Sequence, residues 1–285
     1  MTAAEALGEA ATRLRAAGID EPRREARLLL TRATGLSTET VVLQPDGLLA
    51  ETGLADFQRA VERRCRREPI SRIFGHREFW SLDFRLGPAT LDPRPDSETL
   101  IEAALAHLPD RAGVRRVLDL GTGTGCLLLA ALSEFRGALG IGIDRSPAAV
   151  ATAWENANRL GFGDRVAFLV ADWASAIDGR FDLVLSNPPY IPSATIATLA
   201  PEVRLHDPQA ALDGGPDGLA AYRALAENMR RILTLSGIAV IELGAGQAAD
   251  VASIFAASGL DVVERRRDLG GVERAFVGRR SEPQK

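Results

Sequence analysis

A chain of 285 residues, 46% hydrophobic and 25% charged, has room for one large or two ordinary soluble domains with an ample core. A formal net charge of −4 argues against a generally sticky nucleic-acid binder, although a local basic patch stays open. Two well-separated cysteines, Cys65 and Cys126, lack metal-ligand spacing, so neither a disulfide framework nor a cysteine metal site is expected. The opening residues Met1-Thr2-Ala3-Ala4-Glu5 carry no basic segment leading into an apolar run, and no apolar run approaches the ~20 residues of a membrane span. A cytoplasmic protein without membrane association is the expectation.

In chain order, residues 1 to about 74 read as a small module of four or so helices. Leu7, Leu14 and Ile19, then Ala26, Leu28, Leu29 and Leu30, recur at roughly helical spacing, punctuated by Gly18, Gly35 and the turn Gln44-Pro45-Asp46-Gly47. Its last helix carries Arg59, Arg63, Arg64, Arg66 and Arg67, and positions 59, 63, 66 and 67 would share one face. That face is either simply solvated or a docking patch for a partner that carries phosphate or is bound to RNA. From His76 the pattern changes: Glu78 to Leu86 is partly alternating and aromatic-rich, which predicts a β-hairpin or strand linker. Gly87 to Glu98 then holds three prolines and an acidic end that introduces a helix over 99–108. This stretch is a rigid linker or a lid against a ligand site.

Beyond Arg115, strand and helix alternate, the pattern of a parallel sheet wrapped by helices. Strands are expected at 117–120, 139–143, 166–170, 183–186 and 238–243, with a closing pair at 260–264 and 275–278. Helices are expected at 126–135, 147–160 and 218–235. Ser281 to Lys285 are expected to be disordered. The domain boundaries drawn on this basis are 1–74, 75–95 and 96–285.

Three strand ends carry chemistry. Asp119-Leu120-Gly121-Thr122-Gly123-Thr124-Gly125 joins the first strand to its helix, and glycines there bring backbone N–H groups close to a ligand. The spacing is G-x-G-x-G, not the dinucleotide fingerprint, and Asp119 would oppose a pyrophosphate while suiting a cationic amino-acid moiety. That points to S-adenosylmethionine over NAD. Asp144 ends the second strand, where an acid can accept from two ribose hydroxyls; it could also cap the helix that follows. Asp172-Trp173 follows the third strand: a carboxylate for an exocyclic adenine NH2 and an indole to stack on, unless Trp173 is ordinary core. Then Phe181 to Leu185 reads as a buried strand that runs into Ser186-Asn187-Pro188-Pro189-Tyr190. Two prolines make that exit stiff and non-helical, and the Asn187 amide can grip a planar group bearing NH2. Taken alone, the segment is also readable as a plain Pro-Pro turn. His76, His107 and His206 are isolated, so no metal is assigned; no G-x-S-x-G occurs, and Cys126 reads as a helix-packing residue.

With Asp119–Gly125 and Ser186–Tyr190 both present, the chain resembles class I S-adenosylmethionine-dependent methyltransferases, in the branch that methylates exocyclic or amide nitrogen. It is more specifically similar to the release-factor glutamine N5-methyltransferases (the PrmC/HemK family), through Glu78-Phe79-Trp80-Ser81-Leu82, Pro88-Ala89-Thr90-Leu91, Pro93-Arg94-Pro95-Asp96 and Ala211 to Leu219. The resemblance covers nearly the whole chain. It departs at Asp92, usually apolar in that family, and at Asp207-Pro208, where Glu-Pro is commoner.

The resemblance implies a Rossmann-like α/β domain with a mostly parallel seven-stranded sheet and helices on both faces, preceded by a helical bundle and a β-hairpin linker. It implies that Gly121 to Gly125, with Thr122 and Thr124, line the methionine end of the cofactor, Asp144 its ribose, and Asp172 and Trp173 its adenine. Asn187, Pro188, Pro189 and Tyr190 would hold the substrate, with Asn187, Pro188 and Tyr190 catalytic. The partner would be a peptide chain release factor, methylated on the glutamine of its Gly-Gly-Gln loop, with S-adenosylhomocysteine as co-product. A monomer with no nucleic-acid substrate is expected. Two rivals stay open: an amino-methyltransferase of DNA or RNA, and a non-catalytic cofactor-binding protein associated with the ribosome.

Overall fold

A computed structural model describes residues 1–281, which form two compact units. One holds Met1–Gly75 together with Ala200–His206; the other holds the chain from His76 to Leu199 and from Asp207 onward. The sequence boundaries had left residues 200–206 with the later domain. In chain order the elements are α1 (Ala3–Ala16), α2 (Pro22–Thr34), α3 (Thr38–Leu43), α4 (Glu51–Cys65), α5 (Ile70–Phe74), β1 (His76–Phe79), β2 (Leu82–Arg85) and α6 (Glu98–His107). There follow β3 (Arg116–Leu120), α7 (Cys126–Glu134), β4 (Leu139–Asp144), α8 (Pro147–Arg159), β5 (Val166–Val170) and β6 (Phe181–Ser186). The last are α9 (Pro201–Arg204), α10 (Ala220–Ile232), β7 (Leu233–Glu242), α11 (Ala248–Ala257), β8 (Leu260–Arg267) and β9 (Glu273–Arg280).

The helical unit starts with a capping box: Thr2 Oγ1 accepts from the Glu5 N–H, and Glu5 Oε2 accepts from the Thr2 N–H at 2.8 Å. Leu14, Leu29, Leu30, Phe57 and Val61 fill its core. The expected arginine face does not form as drawn. α4 ends at Cys65, Arg66 lies at its C-cap, and Arg67 has φ 69°, so these two leave the helix face that Arg59 and Arg63 occupy. Each is also met by an acid within the unit: Arg59 by Asp56, Arg63 by Glu68, Arg66 by Glu62, Arg67 by Glu202. Arg64 is buried between Glu25 and Glu202.

In the second unit, β1 and β2 form the expected hairpin, and its two-residue turn, Trp80-Ser81, has positive φ at both positions (52° and 58°). Neither residue favours that conformation. The Glu98 carboxylate holds the Trp80 N–H at 2.7 Å and Glu134 holds its indole N–H at 3.0 Å. The main sheet has seven strands in the order β5-β4-β3-β6-β7-β9-β8, parallel except for the antiparallel β9. Alternation sorts its two faces. Val117, Leu183, Leu185, Ile238 and Val240 pack with α6 and α7. Leu118, Leu120, Val184, Ala239 and Ile241 pack with α10 and α11.

Three readings move. Residues 233–235, read as helix, open β7, because Leu233 pairs with Phe181 at the start of β6. α11 was not expected: its apolar face (Ala248, Val251, Phe255) sits in an alanine-rich stretch with little polar contrast. Ser281, read as the start of a disordered tail, is held: its N–H donates to the Gly259 carbonyl and its hydroxyl to Asp261 at 2.8 Å. The rest of that tail, 282–285, lies outside the described residues. Among the described residues no helix is long and apolar enough to cross a membrane.

Candidate active site

Strand order reverses between β3 and β6, the place where open α/β sheets leave a crevice at the carboxyl ends of their strands. A cavity opens there. It is lined by the loop Gly121–Thr124 with Cys126 and Leu127, by Ile143 to Ser146 after β4, by Ala171 to Trp173 after β5, and by Asn187 and Pro189 after β6. Ala89, Leu91, Pro93, Arg94 and Ser97 close one side, with Pro208, Ala210 and Ala211. The Pro-rich stretch before α6 therefore supplies part of the cavity wall.

The glycine loop is shaped by its backbone. Gly123 has φ 54° and no atom within 4 Å of where a Cβ would stand, which leaves an open cradle; Gly125, with φ 82°, turns the chain into α7. Asp144 ties the loop to the end of β4. Its Oδ2 accepts from the Gly123 N–H at 3.0 Å and its Oδ1 from the Ser146 N–H at 2.9 Å. The cap of α8 is Ser146, whose hydroxyl accepts from Ala149, so the helix-cap alternative for Asp144 falls away. Trp173 has φ 47°, a strained conformation for an aromatic residue, and its ring edge lies 3.7 Å from the position of a Cβ on Gly121.

Asp119 stands elsewhere than expected. It is fully buried beneath the loop, does not line the cavity, and accepts from the Thr122 hydroxyl at 2.7 Å, while its Oδ1 has no hydrogen-bond partner among the described residues. Burial pushes its carboxyl up to about 7, with the Asp144 charge adding and the Thr122 bond opposing. Within the protein its one hydrogen-bond partner among the described residues is Thr122, which it braces from beneath the loop. Pro188 and Tyr190 are likewise absent from the cavity wall: Pro188 is buried, and the Tyr190 hydroxyl donates to Glu242 Oε1 at 3.3 Å. Cys126 does line the cavity, but burial pushes its thiol up to about 12, so it stays a protonated, inert group.

Behind Asn187 lies a set of groups that sequence reasoning passed over. The Asn187 Nδ2 donates to Ser97 Oγ at 3.1 Å, and the Ser97 hydroxyl donates to Glu242 Oε2. Glu242 is 1% exposed, and burial raises its carboxyl to about 7 against the opposing Ser97 bond and Arg274 charge. A signal existed: Glu242 is a lone acid ending the apolar run Ile238 to Ile241, at the same end of the sheet as Asp144 and Asn187. Arg94, also overlooked, pairs with the almost buried Asp207. Asp207 Oδ1 also accepts from the Asp92 N–H at 3.3 Å, so the two departures from the family pattern are neighbours.

Comparison with known proteins agrees with this architecture. Residues 5–75 match the PrmC N-terminal domain and residues 114–245 a methyltransferase domain. A release factor glutamine methyltransferase of Rhodospirillum rubrum is 50% identical over 96% of this chain and 84% of its own. Another, from Agrobacterium fabrum, is 45% identical over 94% of each. The crystal structure of a methyltransferase from Pyrococcus furiosus superposes with a TM-score of 0.54 at 17% identity, over 78% of this chain and 99% of that one, a likeness of fold alone. With such relatives spanning almost its whole length and a methyltransferase sheet carrying the cavity, the chain belongs to the release factor glutamine methyltransferase family.

Proposed function

We propose that this protein transfers a methyl group from S-adenosylmethionine to the side-chain amide nitrogen (N5) of the glutamine in the Gly-Gly-Gln loop of peptide chain release factors. The observation that carries the proposal is the convergence on one cavity of the open glycine cradle, Asp144, the pair Asp172 and Trp173, and Asn187, from four different strand ends. These residues fit the cofactor chemically. Asp144 retains lone pairs on both oxygens for ribose hydroxyls, Asp172 can accept from an adenine NH2, and the strained Trp173 offers a ring face. The loop around Gly123 leaves backbone free for the methionine end. When bound, S-adenosylmethionine supplies an electrophilic methyl group on a sulfonium.

The chain's own residues supply position and charge stabilisation. An amide nitrogen is a weak nucleophile because its lone pair is delocalised into the carbonyl. Pro188 is buried behind the cavity wall, so only its backbone carbonyl could take part; that oxygen and Asn187 Oδ1, which lines the cavity, would accept the two N–H protons, fixing the nitrogen and favouring the positive charge it develops. Holding the reacting groups together supplies much of the remaining acceleration. Tyr190, expected to wall the amide plane, would act from behind through Glu242. No strong general base is required. The DNA or RNA reading has less support: relatives named for release factor glutamine span 94–96% of the chain, and the arginines of α4 are met by acids.

Labelled methyl transfer to a purified release factor, run beside its Gly-Gly-Gln→Gly-Gly-Ala form and duplex DNA, tests the reading. Label on the wild-type factor alone is expected; equal label on both protein forms, or label on DNA, overturns the substrate assignment. Asn187→Ala should lower kcat by about 10²–10³-fold with cofactor affinity largely intact.

A further inference from the structure

An asparagine amide can offer the cavity either its oxygen or its NH2, and the two arrangements differ only by a half-turn about its last bond. Methyl transfer to an amide nitrogen needs the oxygen. We propose that Ser97 and Glu242 are positioning residues that set this half-turn, through a one-way run of hydrogen bonds from Asn187 to Ser97 to Glu242. The proposal rests on the methyl-transfer reading above.

Donor counting makes the case. An ionised carboxylate only accepts, and two hydroxyls converge on Glu242: Ser97 on Oε2 and Tyr190 on Oε1. Ser97 has one proton and spends it there, so toward Asn187 it can only accept. Asn187 must therefore present Nδ2, which donates at 3.1 Å. Its Oδ1 takes no partner among the described residues and is left for the cavity that Asn187 lines.

Two further observations favour a role in the site over a role in folding. Ser97 ends a 3-10 turn, Pro95–Ser97, that runs straight into α6, with helical φ and ψ of −68° and −15°; no cap bond engages its hydroxyl, which is 2% exposed as a residue and turned to Glu242. Glu242 in turn is an acid at 1% exposure ending an apolar strand, a costly placement that a neutral residue would avoid.

The run of bonds has a sign that pH can reverse. The groups facing Glu242 are the Arg274 and Asp96 charges, the Ser97 and Tyr190 hydroxyls, and the neutral Tyr222 phenol and Cys126 thiol. Once protonated, Glu242 becomes a donor to Ser97. Ser97 is then free to donate to Asn187, which favours the amide turned with its NH2 toward the cavity. Because burial raises this carboxyl to about 7, the change falls near neutrality.

The test uses the full chain and a purified release factor, with wild type, Ser97→Ala, Ser97→Thr and Glu242→Gln compared across pH. Ser97→Ala is expected to lower kcat about 10²-fold while KM and the calorimetric Kd for S-adenosylmethionine move by no more than about twofold. Ser97→Thr keeps the hydroxyl and should recover most of the loss. Wild-type kcat should fall as pH drops through about 7, and Glu242→Gln should lose that limb. A second readout needs no turnover: the Asn187 side-chain NH2 signals in NMR, identified by their disappearance in Asn187→Ala, should shift with the same midpoint in wild type and stay flat in Glu242→Gln. The proposal is overturned if Ser97→Ala keeps full kcat, if Ser97→Thr is as impaired as Ser97→Ala, or if the NH2 signals titrate equally without the Glu242 carboxylate. Failure of wild type to methylate the release factor would instead sink the functional reading, and the NMR titration would still judge the hydrogen-bond run by itself.

Discussion

At the residue scale, the site shows carboxylates with different duties set by their surroundings. Asp144 is half-buried and accepts from two backbone N–H groups, so it shapes the glycine loop while facing the cavity. Asp144→Ala is expected to weaken S-adenosylmethionine binding by about 1.5–3 kcal/mol, the range for a hydrogen bond to a charged group. Titration calorimetry measures it, and unchanged affinity would remove Asp144 from the cofactor site. Asp119, by contrast, carries out its work out of sight, through Thr122. Asp119→Asn should therefore disturb the loop less than Asp144→Ala disturbs binding, since an amide oxygen still accepts from the Thr122 hydroxyl. Asp92 and Asp207 show a different kind of coupling. Read separately along the chain they are unrelated departures; in space one accepts the other's backbone N–H, beside the Arg94 that lines the cavity.

At the element scale, helix ends and turns decide what residues can do. Arg59, Arg63, Arg66 and Arg67 looked like one surface because helical spacing was extended past the end of α4. Arg64, still within the helix and never part of that face, points inward. Its side chain is 8% exposed and bridges Glu25 on α2 and Glu202 on α9, drawing that distant segment into the helical unit. Arg64→Leu leaves the part-buried Glu25 without its cation and Glu202 with Arg67 alone, and should destabilise this unit by about 3 kcal/mol. Chemical denaturation followed by hydrogen exchange on α2 and α4 would register it; an unchanged midpoint would mean that Arg67 alone neutralises Glu202. The hairpin shows the same dependence on context. Its turn carries no Asn-Gly signal, and Trp80 and Ser81 adopt positive φ because glutamates from α6 and α7 hold Trp80 at both its backbone and its ring.

At the scale of the whole molecule, two fully buried carboxylates with raised affinity for protons give an unusual pH profile. Asp119 and Glu242 both stand near 7 in the folded chain, against about 4 when unfolded. Between those values the folded state binds more protons than the unfolded one, so stability falls as pH rises from about 4 to 7. Carboxylates held low, such as Asp217 at about 2, act oppositely and lose their contribution only at more acid pH. The Tm should therefore be highest on the acid side of neutrality and drop toward pH ~8. A combined Asp119→Asn and Glu242→Gln variant should lose most of this slope; a wild-type Tm that rises steadily from pH ~5 to ~8 would contradict it. Stability and the activity expected of the site then move in opposite directions across neutrality, because protonating Glu242 relieves its burial while releasing its hold on Ser97.

The sequence by itself determined the alternation of strand and helix, the seven strands, the hairpin, the helical character of the first 74 residues and the strand ends that bear chemistry. These features are local: periodicity, proline and glycine punctuation, and a strand's carboxyl end can all be read from neighbours along the chain. Only the tertiary structure decided which side chains at those ends reach the cavity. Asp119 is buried beneath its loop, Tyr190 is drawn back to Glu242, and the stretch around Pro93 before α6 is brought round to form a wall. The hold on Asn187 joins residues 97, 187 and 242, which nothing along the chain connects. Such a contact depends on the register of β6 against β7 and on the packing of α6 against the sheet, and both are settled only when the whole core closes.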